Sequence, residues 1–134
     1  MKVDASLHFK QILKELPHNG NEHTLIKRFL NNVIQHYLPD ESYSVFPGKL
    51  SESWASLEEN DPVYVHAKQN HLHHYHIGHT CYWKTTKKYK TSEWILHFIW
   101  NKNDRSKSNE IKIVDYTPHK VNGEFPIPSS KKLF

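Results

Sequence analysis

Six of the twelve histidines in this 134-residue chain fall between His66 and His79. Within that stretch, Leu72-His73-His74-Tyr75-His76-Ile77 has the composition of a β-strand. Side chains alternate faces along a strand, so His74 and His76 share one face with Leu72. His73, Tyr75 and Ile77 take the other, which suits a core. His71 and His79 sit at the strand ends. Imidazoles titrate near neutral pH, so two on one face can move protons. Three uses fit the pattern. His74 and His76 can serve as acid–base or phosphate-contacting groups of a nuclease. An HxH pair joined by His71, His79 or His97 can bind zinc, with Glu93 and Asp115 as the nearby carboxylates. The residues can also be plain polar surface.

A basic stretch follows, Tyr82-Trp83-Lys84-Thr85-Thr86-Lys87-Lys88-Tyr89-Lys90-Thr91. Lysines neutralise phosphates, aromatic rings stack on unpaired bases, and hydroxyls bond phosphate or ribose. Asp115-Tyr116-Thr117-Pro118-His119-Lys120 brings Tyr, His and Lys to a strand end. A solvated loop and a capped strand end are the plain alternatives for these two segments. Cys81 is the single cysteine, with no visible partner triad for a nucleophile. Neither a glycine-rich phosphate loop nor zinc-finger cysteine spacing is present.

Charge is divided along the chain. Residues 1–67 carry 6 Lys+Arg against 9 Asp+Glu, or −3, and residues 68–134 carry 12 against 5, or +7. The sum is the net +4. A cationic C-terminal half suits a polyanion, either nucleic acid or an anionic surface. With one cysteine, no apolar run of membrane-spanning length and no hydrophobic leader at Met1-Lys2-Val3-Asp4, a cytoplasmic protein without membrane contact is expected.

Periodicity sets the elements that must hold these residues. Phe9, Ile12, Leu13 and Leu16 form one helical stripe, capped by Asp4 or Ser6 and ended by Pro17 and Gly20. Leu25, Ile26, Phe29, Leu30, Val33, Ile34 and Tyr37 form a second, capped by Asn21 and ended by Pro39. The short Asn19-Gly20 link predicts an antiparallel helix pair over 1–38. Residues 39–62 read as loop, with Leu50, Trp54 and Leu57 pinning a turn, and Tyr64 opens a β-like stretch. Strands are expected at Leu72–Ile77, Trp94–Trp100 and Ile111–Tyr116, in a sheet spanning 63–117, with 118–134 an irregular basic tail. The fold class is α+β, two N-terminal antiparallel helices packed on a small, mainly antiparallel sheet, in one domain.

Three stretches carry a resemblance to a known family: His73-His74-Tyr75-His76-Ile77-Gly78, Thr91-Ser92-Glu93-Trp94-Ile95-Leu96-His97-Phe98, and Ile113-Val114-Asp115-Tyr116-Thr117-Pro118-His119. With two helices ahead of them, they resemble the RelE/ParE toxin superfamily, and within it the YafO-like mRNA interferases of bacterial type II toxin–antitoxin systems. The resemblance covers most of the chain in arrangement. It implies a RelE-like domain over 1–134 and an endoribonuclease that cuts mRNA, with the ribosome and a cognate antitoxin as partners. It implies metal-independent attack by the ribose 2′-hydroxyl, without cofactor. Carried over position by position, it implies His74, His76 and His119 as catalytic residues. The resemblance adds Lys90, Ser92, Tyr116 and Lys120 as RNA-binding residues, beside Lys84, Lys87 and Lys88 of the basic stretch. Many members use arginine, but this chain has only Arg28 and Arg105, so lysine or protonated histidine must stabilise the transition state.

Overall fold

A computed structural model describes residues 1–39, 43–78, 83–84 and 90–134, with only the backbone of 83–84 and 90–91. The chain opens on a strand that the periodicity does not announce, β1 (Lys2–Ala5). Ser6 then caps α1 (Leu7–Glu15): its Oγ accepts from the Phe9 amide at 3.1 Å and donates to the Val114 carbonyl at 3.2 Å. One hydroxyl thus starts a helix and ties it to a distant strand. α2 (Asn21–His36) has Gly20 as its N-cap; Asn21, expected as the cap, is its first helical residue.

Residues 39–62 are less loop-like than expected, since β2 (Leu50–Glu52) lies among them. The stretch expected to be β-like from Tyr64 is instead helical, α3 (Pro62–Gln69). Asp61 caps it by accepting from the Val63 amide at 2.8 Å, and Pro62 occupies the first turn, where its missing N–H costs nothing. β3 (Leu72–His76) follows, then the short pair β4 (Trp83–Lys84) and β5 (Lys90–Thr91), β6 (Trp94–Ile99) and β7 (Glu110–Pro118). The main sheet has the order β1-β7-β6-β3-β2. β1 pairs parallel with β7 and the other neighbours are antiparallel, so the sheet is mixed. The α+β class holds.

Each sheet face has its own cover. Tyr75, Leu96, Phe98, Ile111, Ile113 and Tyr116 pack with Ile26, Phe29 and Val33 of α2 and Phe9 of α1. On the opposite face, Leu72 and Val114 pack with Ala67 of α3 and Leu133 of the C-terminal segment. That segment is not wholly irregular: it turns at Val121–Glu124 and forms a short 3-10 turn at Ser130–Lys132. His66 Nε2 meets the Pro128 carbonyl at 2.7 Å and fastens the segment to α3.

One irregularity matters for the site. His97 pairs with Asp115 but Phe98 pairs with Ile113, so β7 holds an extra residue, Val114. A bulge of one residue reverses which side chains face which way beyond it. Ile111 and Ile113 face the helices before it; Tyr116 does so after it.

Candidate functional site

Strand alternation puts His74 and His76 on the face away from α2, as the sequence implies. His97, on β6, is the direct cross-strand partner of His74. The bulge at Val114 turns Thr117 to this same face, where its Oγ lies 2.8 Å from His97 Nε2. It also brings in His119, just past β7, whose backbone amide donates to the Glu93 carbonyl. Three imidazoles therefore converge. Ring centroids lie 5.8 Å apart for His74 and His76, 5.0 Å for His76 and His119, and 6.3 Å for His74 and His119. Phe125 covers the group, with its ring centroid 4.7 Å from His74 and 5.4 Å from His119.

These histidines are enclosed rather than displayed. His74 is 7% exposed, His76 3% and His97 0%. Serines orient two of them. Ser53 Oγ lies 3.0 Å from His74 Nδ1. His76 Nδ1 lies 2.8 Å from the Ser92 carbonyl and 3.0 Å from the Ser92 amide; it donates to the first in one tautomer and accepts from the second in the other. Ser92 Oγ accepts from the Gly78 amide and donates to the Trp94 carbonyl, which locks that peptide. Among the described residues, His97 Nδ1 is the one buried side-chain polar atom without a partner.

Burial fixes the protonation state. It holds His74 well below its usual range, with the neighbouring histidines acting in the same direction. Burial takes His76 down to about 4 against the opposing pull of the Ser92 carbonyl, and His97 to about 4 against that of Asp115. His119 is lowered by burial, then by Lys120 and Lys49. Unfolding releases these rings to about 6.5, so the unfolded chain takes up protons first as pH falls. Their contribution to stability is therefore complete above pH 6.5 and lost progressively towards pH 4. For His76 and His97 the loss is about 3 kcal/mol each. Urea titration of chelator-treated protein at pH 7.5, 6, 5 and 4 should show the midpoint falling steeply through this window. A midpoint that holds to pH 4.5 refutes it.

A cleft of about 630 Å³ opens beside the cluster, lined by Lys49, His76, Ser92, Glu93, Pro118, His119 and Lys120. Of the expected catalytic residues, His76 and His119 reach it and His74 lies behind them. Lys120 lines it as expected. Ser92 lines it too, but its hydrogen bonds make it a positioning residue for His76. Lys49, not anticipated from the sequence, is brought in by the lead into β2, where its carbonyl accepts from the His76 amide at 3.0 Å. Lys84 and Lys90 pair across β4 and β5. Lys87, Lys88 and His79 lie outside the described residues.

Tyr116 needs correcting as an RNA-binding residue. It is 6% exposed and faces the helices, and its hydroxyl donates to Glu22 Oε1 at 2.9 Å. Burial and the Glu22 carboxylate raise its pKa far above the usual value. Tyr116→Phe should lower unfolding free energy by about 1 kcal/mol and leave RNA affinity unchanged. A loss of affinity in a stable variant contradicts this placement. Among the described residues, no helix is long and apolar enough to cross a membrane. No protein-family model, curated protein or solved structure matches the chain.

Proposed function

We propose that this protein is an endoribonuclease that cleaves mRNA in the cleft beside the histidine cluster. The observation that carries the reading is that His76 and His119 line one cleft together with Lys49 and Lys120. Two imidazoles and two cations supply the base, the acid and the charge stabilisation that attack of a ribose 2′-hydroxyl on the adjacent phosphorus needs. His76 accepts the hydroxyl proton as the new O–P bond forms. Lys49 and Lys120 offset charge on the non-bridging oxygens. His119 gives a proton to the departing 5′-oxygen, and the products end in a 2′,3′-cyclic phosphate and a 5′-hydroxyl. A phosphate entering between the cations adds negative charge beside His119 and so favours its protonated form. The arrangement of two helices, a histidine strand, an apolar strand and a final strand supports the resemblance to the RelE/ParE superfamily. On that reading the ribosome presents the message and an antitoxin protein holds the toxin silent. The basic C-terminal half suits both an RNA-rich surface and an acidic partner.

The test is cleavage of end-labelled mRNA by the whole chain, with and without programmed ribosomes, in buffer containing EDTA. Cyclic-phosphate ends are the expected product. Salt-dependent binding without cleavage in either setting indicates a non-catalytic RNA-binding module and overturns the proposal.

A further inference from the structure

The tightest cluster of potential metal donors among the described residues is His74, His76 and His119. One ring nitrogen from each lies within 4.8 Å of the other two. Tetrahedral zinc holds its nitrogen ligands at about 2.0–2.1 Å, which places them about 3.3 Å apart. Inward movement of under about 1 Å per ring closes that difference, a displacement within reach of small side-chain rotations. We propose that these three histidines form a binding site for one divalent transition-metal ion of the zinc class.

Three further features fit such an ion. Metal-bound histidines are typically held through their second ring nitrogen by a hydroxyl, carbonyl or carboxylate. Ser53 Oγ at His74 Nδ1 and the Ser92 carbonyl at His76 Nδ1 are in that position. In the tautomer where His76 Nδ1 donates to Ser92, the lone pair is on Nε2, so coordination falls to that atom. Burial keeps the rings neutral, the form that binds metal. The cleft beside His76 and His119 admits water or an anion as a fourth ligand. Lys49 and Lys120 oppose a bare cation there, and the same charges draw an anionic fourth ligand to it. Asp115, the buried carboxylate of this face, is engaged by His8 and Lys132 and stays outside the ligand set.

Coordination would occupy the lone pairs that proton transfer by His76 and His119 needs. Stoichiometric zinc should therefore suppress cleavage. That consequence rests on the proposed nuclease function; the metal site itself does not. The experiment begins with whole protein stripped by chelator and dialysed, then titrated with zinc sulfate alone by calorimetry at pH 7.5. One ion per chain with a dissociation constant of about 1 µM or tighter is expected. His119→Ala, at the rim of the cluster, and His74→Gln should each weaken binding at least ten-fold. His18→Ala, an exposed ring stacked on the buried His23 and remote in sequence from the cluster, should leave it unchanged. Cobalt in place of zinc should give the visible bands of a four-coordinate site, an outcome independent of any variant's folding. Absence of binding, octahedral cobalt spectra, or zinc affinity that follows His18 rather than His119 overturns the site. Zinc that binds as described while cleavage rises overturns the inhibitory consequence. Zinc binding without RNA cleavage under any condition supports the site and removes only the nuclease.

Discussion

Alanine at both His76 and His119 should lower RNA cleavage by at least about 100-fold while the protein still folds. Removing a positioned proton carrier costs about 10²–10⁴-fold in rate. The two rings act on opposite sides of one phosphorus, so the double variant should lose little more than the worse single one. His119 lies past the last sheet pairing and is half-buried, so its removal disturbs packing little. His76 is enclosed, and its loss frees the Ser92 peptide from its ring contact. His76→Gln therefore accompanies the alanine variant, because an amide can still engage Ser92 but cannot accept a proton at neutral pH. Rates come from single-turnover cleavage in EDTA, and folding is followed by circular dichroism. A folded double variant cutting RNA at the parental rate would sink the assignment of the cleft.

Gly48→Ala should destabilise the protein by about 3 kcal/mol or more, the upper end of overpacking costs. A Cβ built on Gly48 would come 1.9 Å from the His76 carbonyl oxygen and 2.9 Å from Tyr75 Cζ. The first neighbour is backbone within the central sheet and has no rotamer through which to give way. Relief requires moving the 47–49 segment off β3. That movement breaks the Gly48 amide's hydrogen bond to the Tyr75 hydroxyl and the His76 amide's bond to the Lys49 carbonyl, each 3.0 Å. Both anchor the strand that carries the histidines. Cleavage should fall together with stability, since Lys49 enters the cleft on this segment. Denaturant midpoints measure the effect, and an unchanged midpoint would show that the segment is not held this close.

Long, strongly periodic elements were legible in the sequence. The stripes from Phe9 and Leu25, and the strands around Tyr75, Leu96 and Ile113, all form where their patterns place them. α3 was not, because Pro62 reads equally as a loop breaker and as a first-turn residue, and Val63 and Val65 favour strands. β1 has four residues and one neighbour, too little for alternation to declare. Within the site, alternation separated His74 and His76 from His73. It could not place His119, whose facing depends on the bulge at Val114. Simple alternation would have set Tyr116 and His119 on opposite faces, and that signal was available. Burial of the histidines follows from Phe125 and the C-terminal segment folding back, and depends on contacts that no local pattern encodes. Lys49 enters through the pairing of β2 with β3, another long-range contact.

The parallel pairing of β1 with β7 has a consequence for how this protein is made. Among the described residues, the first strand finds its one sheet neighbour 108 residues later, the same separation as in the bond from Ser6 to Val114. Contacts so distant in the chain form late and slowly. During translation β1 and α1 therefore wait, unpaired, until the last strand has left the ribosome, and His119 emerges after it. The nascent chain thus carries His74 while the next 45 of its 134 residues are added, without the third histidine or the Phe125 cover. On the proposed nuclease reading, the cleft has both of its imidazoles only once His119 has joined His76.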